Sequence, residues 1–314
     1  KKFLRDADGN KLDSTVYKSL EPIKTYGGLE PRITLRYAID EATSIKASVS
    51  RNLQYIHLVS NSGNTLPTDL WVPSTYIVKP QKSWLYALGL FKNFDDNRIE
   101  TSAEFYYKSM KNQIDYKEGY TPSLNDPESE FVFGKGWSYG TELFVNKTRG
   151  RFTGWVGYTL SWTWRQFHDL NEGLRYPAKY DRRHDLSIVT GYEAGKKWKL
   201  GAVFVYGTGN AMTLPERFYL INGVLTQEYS RLNQYRMKAY HRLDLSATFT
   251  PVPKKNRKLK SYWVFSIYNV YSRLNPYFIY FDQNGSAQNG DLKVEARQVS
   301  LFPILPAVTW NFKL

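Results

Sequence analysis

Along most of this chain apolar and polar residues alternate one for one, the period of a strand whose two faces meet different surroundings. Ile33, Leu35, Tyr37 and Ile39 alternate with Arg32, Thr34, Arg36 and Ala38. Ile45, Ala47 and Val49 alternate with Lys46, Ser48 and Ser50. Ile99, Thr101, Ala103, Phe105 and Tyr107 alternate with Glu100, Ser102, Glu104, Tyr106 and Lys108. The rhythm returns at 137–146, 152–162, 186–192, 198–206, 243–249, 263–267 and 308–314, while at 84–90 both faces are fairly apolar. The pattern predicts an all-β chain of about eleven strands.

The connections say more than the strands. Short links fall at 40–44, 94–97, 147–151, 195–197 and 251–260, and long ones at 54–80, 118–133, 165–183, 208–239 and 272–295. Short and long alternate strictly. The competing arrangement is a soluble sandwich with its aromatic face as the core, but such a fold need not gather its long loops at one end. A transmembrane antiparallel up-and-down β-barrel does, with short periplasmic turns and long extracellular loops. Asp95-Asp96-Asn97 and Gly195-Lys196-Lys197 supply turn chemistry in two short links.

Composition agrees with this. Aromatic residues make up 16% of the 314 residues. Trp84, Trp137, Trp162, Trp198, Trp263 and Trp310 stand near strand ends, where interfacial girdles lie. Mean hydropathy is −0.52, which does not exclude a barrel, because an apolar lipid face alternates with a polar lumen face. No apolar run is long enough for a transmembrane helix. There is no cysteine, which excludes disulfides, zinc–thiolate sites and thiol catalysis. The net charge of +14 is dispersed over turns and loops without a recognition motif, so no nucleic-acid partner is expected.

Strand parity suggests how the chain sits in a larger whole. If the last strand descends to a periplasmic C-terminus, the strand at 32–39 descends too. Residues 1–31 are then expected to be the tail of an extracellular loop, and 32–314 the C-terminal portion of a barrel whose open edges need partner strands.

Several segments resemble TonB-dependent outer-membrane receptors. The most specific are Tyr180-Asp181-Arg182-Arg183-His184-Asp185-Leu186 and Tyr240-His241-Arg242-Leu243-Asp244-Leu245-Ser246, each opening a descending strand. Others are Tyr268-Asn269-Val270-Tyr271 with Asn275-Pro276-Tyr277, and the ending Pro306-Ala307-Val308-Thr309-Trp310-Asn311-Phe312-Lys313-Leu314. The resemblance covers essentially the whole chain. The family usually ends in an aromatic residue; here Leu314 is last and Phe312 stands two before it. The resemblance implies the C-terminal half of a 22-stranded barrel, with the plug domain and N-terminal strands absent from this chain. It also implies uptake of a nutrient of the siderophore, vitamin, glycan or peptide class, driven through TonB. The implied partners are the TonB complex acting on the missing plug, the small nutrient ligand, outer-membrane lipid and lipopolysaccharide, and possession or not of a surface lipoprotein stays open. The alternative is a non-transport barrel subunit serving as a structural or docking partner in a larger outer-membrane assembly.

No set of residues announces catalysis, a cofactor or a metal, so a non-enzyme is expected and substrate-binding residues stay undefined. His57, His168, His184 and His241 lack metal-ligand spacing; the last two are expected in a hydrogen-bonding cluster near the outer rim. Asp181, Arg182, Arg183 and Asp185 are candidates for an ion-pair group. Glu100, Glu104, Glu142, Asp244, Arg32, Arg36 and Arg242 are expected to face the lumen and contact the plug. Asp95-Asp96, Glu128 and Glu130 lie in turns or loops without a positioned base or nucleophile. Gly207-Thr208-Gly209-Asn210 lacks the Lys-Ser/Thr of a phosphate loop and is read as a strand exit. Lys254-Lys255-Asn256-Arg257-Lys258-Leu259-Lys260 is read as a basic periplasmic turn. Trp71, Tyr76, Phe167, Tyr176, Phe218, Tyr219, Tyr229, Tyr235, Phe278 and Tyr280 lie in or near the long loops, suited equally to stacking on a ligand and to packing loops together.

Overall fold

The computed structural model describes residues 2–5, 11–15, 18, 21–22, 24–59, 70–118, 127–221, 224–229, 231–251, 260–285 and 291–313. Eleven strands follow one another across one sheet. They are β1 (Arg32–Ala38), β2 (Thr43–Gln54), β3 (Gln81–Phe94), β4 (Ile99–Tyr116) and β5 (Phe131–Lys147). Next come β6 (Phe152–Phe167), β7 (His184–Glu193), β8 (Trp198–Gly207), β9 (Tyr240–Phe249), β10 (Lys260–Tyr268) and β11 (Leu305–Lys313). Each pairs antiparallel with its neighbour in sequence, and the short strand Tyr176–Pro177 adds to β6. This is the up-and-down barrel wall that the alternation predicts. Among the described residues β1 and β11 each pair on one side only, so the wall is not closed within this chain.

Register makes one face of the sheet continuously apolar. Leu35 opposes Ala47, Ala47 opposes Leu88, Leu88 opposes Phe105 and Phe105 opposes Thr141. At the other end Ala202 opposes Leu245, Leu245 opposes Ile267 and Phe265 opposes Val308. Leu88, Phe105, Leu143, Leu200, Leu245 and Val308 are all exposed on this face. A soluble sheet would cover such a surface; a lipid-facing wall leaves it bare. The buried apolar residues lie elsewhere. Val59, Val72, Val78, Ile114, Tyr116 and Phe131 form one cluster, and Val132, Phe167, Leu170 and Tyr176 another, both at the long-loop end.

Strand length explains that placement. A strand needs about 9–11 residues to cross the hydrocarbon. β4 has 18 residues and β5 has 17, so both rise beyond the bilayer and carry the loop cores. Asn112, with φ of 57°, marks a register shift between Lys111 and Gln113 where β4 passes into that region.

Tryptophans occupy both rims. Trp84, Trp137 and Trp162 lie toward the long loops. Trp198, Trp263 and Trp310 lie toward the short turns, where Trp263 stacks on Trp310 at 5.8 Å. The short turns have the expected chemistry: Asp95, Asp96 and Asn97 all adopt positive φ, as does Gly195 at 91°. The basic segment Lys254–Leu259 and the terminal Leu314 lie outside the described residues.

The long links, read as loops, contain strands of their own. Ile56–Val59 pairs with Leu70–Pro73, Arg217–Ile221 with Val224–Glu228, and Pro276–Asn284 with Lys293–Ser300. Ala211–Met212 pairs with Tyr235–Arg236, and Lys2–Arg5 with Lys11–Thr15 within the first 31 residues.

Candidate functional site

The long-loop end of the wall is held by a clasp centred on Asp181. The residue sits just before β7, and its carboxylate is 1% exposed. A buried carboxylate persists as an ion only when its oxygens are paired. Here the Thr163 amide donates to it at 2.6 Å, Arg183 Nη2 reaches it at 3.4 Å, and Arg236 closes an ion pair from a distant loop. Arg236 also donates from Nη1 to the carbonyls of Asp181 at 2.7 Å and Gly209 at 3.3 Å. Burial pulls the Arg183 guanidinium below its ordinary value, opposed by Asp181 and reinforced by Arg236. Its ring partner is Trp162, 4.8 Å away.

The clasp joins three loops. Asn233, buried and at positive φ, donates from Nδ2 to the Pro177 carbonyl at 2.9 Å and receives the Thr213 hydroxyl. The Leu232 amide donates to Asn171 Oδ1 at 3.0 Å, and the Asn171 amide donates to Glu118 at 2.7 Å. Leu232 packs on the cluster of Val132, Phe167, Leu170 and Tyr176. Gly209 is required at its position, because a Cβ there would lie 1.8 Å from the Met237 carbonyl oxygen. The segment Gly207-Thr208-Gly209-Asn210 is the strand exit expected: Thr208 bonds His184 through backbone and hydroxyl, and Asn210 accepts from Arg182 at 3.2 Å.

A second polar centre stands at the same end of β9 and β10. The Asn269 amide donates to Asp244 at 2.9 Å, and its side-chain amide donates to the carbonyls of Arg273 and Phe302. Arg242 pairs with Asp244 at 2.9 Å and donates to the hydroxyls of Tyr240 and Tyr268. Asn275 exchanges two hydrogen bonds with the His241 backbone, both at 3.0 Å. These are the residues of the two tyrosine-rich motifs, brought together by pairing.

The histidines do not converge. His184 bonds the Tyr158 hydroxyl at 2.8 Å and His241 the Tyr271 hydroxyl at 2.8 Å, on strands separated by β8, so they form two pairs rather than one cluster. His57 is fully buried against Ser74 at 3.0 Å, and His168 is exposed beside Asp169. Among the described residues no three His, Asp or Glu side chains come together as a metal set.

Glu100, Glu104, Glu142, Asp244, Arg32, Arg36 and Arg242 all lie on the face opposite the apolar one. Glu104 is the cross-strand partner of Glu142, and Glu100 accepts from Asn146 at 3.0 Å. All three carboxylates line a cavity of about 470 Å³ with Phe91, Phe144 and Thr159. Arg182 and Asp185 sit 3.6 Å apart and half-exposed at the rim. The loop aromatics divide. Phe167 and Tyr176 are buried in the loop core, while Trp71, Tyr76, Tyr219, Tyr229, Tyr235 and Tyr280 are exposed. Phe218 packs on Phe281 at 5.4 Å, and Phe278 lies 6.2 Å from Tyr280. Sequence reasoning missed Arg236, Asn171, Asn233 and Thr213, which sit in loops without a periodic pattern.

A meander with a bare apolar face, two aromatic rims and polar loop clasps defines the wall of an outer-membrane β-barrel. The family model described as "TonB dependent receptor-like, beta-barrel" matches residues 5–271, and the chain belongs to that family. That family resides in the bacterial outer membrane, and its members are transporters rather than enzymes. No curated protein matches the sequence. Among solved structures, the ferripyoverdine receptor of the Pseudomonas aeruginosa outer membrane superposes with a TM-score of 0.58 at 15% identity, covering 93% of this chain and 34% of that one. The iron transporter FrpB from Neisseria meningitidis gives 0.54 at 14% identity, covering 91% and 39%. The ferric citrate transporter FecA gives 0.53 at 12% identity, covering 90% and 37%. These likenesses establish the fold. The chain spans little more than a third of each neighbour's length.

Proposed function

We propose that this chain forms the C-terminal part of the barrel of a receptor that takes up a nutrient across the outer membrane with energy delivered through TonB. The observation that carries the reading is the pair of polar centres, around Asp181 and Asn269, built at the long-loop end of a barrel wall of this family. The Asp181 and Asn269 centres hold the long loops in place, as a surface that captures a solute requires. In this reading the long loops are extracellular, and the short turns and the C-terminus are periplasmic. The polar face with Glu100, Glu104 and Glu142 lines the lumen and meets a plug supplied from outside this segment. Two of the solved neighbours are by name a receptor for ferripyoverdine and a transporter of ferric citrate, and a third is an iron transporter, so ferric chelates head the panel of siderophore, vitamin, glycan and peptide substrates.

The test is uptake. Cells with and without the full-length receptor are given a labelled ferric siderophore, ferric citrate, cobalamin, an oligosaccharide and a peptide. Accumulation of one of these is expected to vanish on deleting the receptor and on collapsing the inner-membrane proton gradient. Uptake that survives the loss of the gradient, or a panel on which deletion changes nothing, overturns the reading.

A further inference from the structure

At the short-turn end of the wall the turns are laced to one another through the backbone. The Asn93 amide donates to the Ala42 carbonyl at 2.9 Å, Thr148 to Arg98 at 2.9 Å, Glu193 to Arg151 at 2.8 Å and Thr250 to Lys197 at 2.8 Å. Each bond ties one short turn to the base of the next, so the turns form a continuous rim. Its exposed charges are sorted along that rim. The first two turns hold Asp40, Glu41, Asp95 and Asp96 against one cation, Arg98, which Asp95 takes up in an ion pair. The next two hold Arg149, Arg151, Lys196 and Lys197, all exposed. None of these four makes an ion pair among the described residues; Glu193, the acid that ends β7, is taken up by Lys199 at 2.8 Å. Lys313, exposed at the end of β11, continues the basic side.

An arc of unpaired cations draws negative charge to itself, and an adjoining arc of carboxylates turns it away. The shape of the arc selects the kind of anion. Successive turns stand two strands apart, about 10 Å, so the cations form a line of steps and do not converge on a point, as a small anion requires. A broad acidic protein laid over the rim would also meet Asp40, Glu41, Asp95 and Asp96. A thin polymer can follow the basic arc alone. Height bears on the choice too. Lys196 stands two residues before Trp198 and Arg149 three before Phe152, which places them about 5–7 Å beyond the aromatic rim on tilted strands. Aromatic rings settle at the level of the headgroups, a layer itself about 5–7 Å deep on each side. The turn tips therefore reach its watery edge, where a polymer outside the bilayer can touch them. A side chain built on Gly195 between them would meet open space.

We propose that Arg149, Arg151, Lys196 and Lys197, with Lys313, bind peptidoglycan, the anionic glycan–peptide polymer of the cell wall, through the free carboxylates of its peptide stems. The acidic turns Asp40-Glu41 and Asp95-Asp96 confine the strand to the basic side of the rim. The assignment rests on the reading above that the short turns are periplasmic.

The experiment sediments the full-length receptor, in mild detergent, with sacculi freed of protein and lipid. The unaltered receptor is expected to pellet. The R149A/R151A/K196A/K197A variant should need at least about tenfold more sacculi for half-pelleting, since four exposed charge pairs are removed together. The R149K/R151K/K196R/K197R variant should pellet like the unaltered receptor, and D95N/D96N at least as well. Sacculi whose stem carboxylates have been amidated should lose the receptor. If the fourfold alanine variant fails to assemble, K196A/K197A gives the same answer in smaller measure, because that turn has space around it. Equal pelleting of unaltered and alanine receptors overturns the proposal, as does full retention on amidated sacculi. Failure of the unaltered receptor to pellet overturns it too. So does release from sacculi by phosphatidylglycerol vesicles that matches release by soluble glycan–peptide fragments, which would assign the arc to lipid. Orientation is read separately, by labelling Lys196→Cys on whole cells with a membrane-impermeant maleimide. Labelling only after the outer membrane is breached, with equal pelleting of the alanine variant, sinks the basic arc alone. Labelling of intact cells sinks the orientation and the arc with it.

Discussion

Asp181 and Arg236, 55 positions apart, meet in an ion pair whose carboxylate is buried and whose guanidinium also binds the carbonyls of Asp181 and Gly209. One side chain thereby ties the entry of β7 to the exit of β8 and to the loop that leads into β9. Removing one member of such a pair leaves the other charge in a site built to neutralise it, and that loss costs about 3–5 kcal/mol. Asp181→Ala is expected to release the loops while leaving the wall intact, because the strand ladders do not pass through Asp181. Hydrogen exchange at 165–183 and 208–239 should accelerate, with β2–β5 unchanged. Uniform acceleration across the wall would show that the clasp is not a local device.

Gly209 gives a second, steric test of the same centre. An added Cβ would overlap the Met237 carbonyl oxygen, which is backbone and cannot swing aside. Gly209→Ala is expected to cost about 1–3 kcal/mol locally, the usual penalty of forcing volume into a packed site. Limited proteolysis should cut the 208–239 loop faster in the variant, while Gly195→Ala in the short turn, with open space around it, leaves that loop resistant. Equal cleavage in receptor and Gly209→Ala variant would count against the contact.

The wall was legible because one-for-one alternation is a local signal: each strand declares its apolar face without reference to its neighbours. Ile33, Leu35 and Tyr37 announce a bare face alone, and register merely joins it to Ala47 and Leu88. The loop end was less legible, because its contacts are long-range. Nothing near Arg236 points to Asp181, and Asn171 and Asn233 look like ordinary turn residues. One signal was present and unused: the dipeptide Asn222-Gly223 is of the kind that favours hairpins, and the segments flanking it, Arg217–Ile221 and Val224–Glu228, do pair.

Sidedness can be tested with single cysteines, since the chain has none of its own. Tyr219 is exposed in a long loop, Lys196 is exposed in a short turn, and Phe105 is exposed on the apolar face. An impermeant maleimide on intact cells is expected to label Tyr219→Cys at once and Lys196→Cys only after the outer membrane is breached. Phe105→Cys should resist even then, because lipid rather than water covers it. Rapid labelling of Phe105→Cys before detergent is added would mean that this face is covered by something other than a bilayer.

His57 makes the loop core sensitive to acid. It lies in the hairpin Ile56–Val59/Leu70–Pro73 beside the cluster of Val59, Val72 and Val78, fully buried, with Ser74 bonded at one ring nitrogen. Burial pushes the imidazole below its ordinary value of 6.5 by disfavouring the charged ring. Above that value the ring is neutral whether the hairpin is closed or open, so protonation contributes nothing. As the pH falls below it, the open form takes up a proton that the closed form refuses. Closure is then progressively lost until the lowered value is passed. Hydrogen exchange at 56–59 and 70–73 should therefore quicken between about pH 7.5 and about pH 5.5, beyond the intrinsic chemical trend. His57→Gln, which keeps a polar group toward Ser74 but cannot titrate, should abolish the excess. An excess that persists in the variant would assign the acid response to another group, and a flat profile in the unaltered receptor would show that the ring binds protons equally in the closed and open forms.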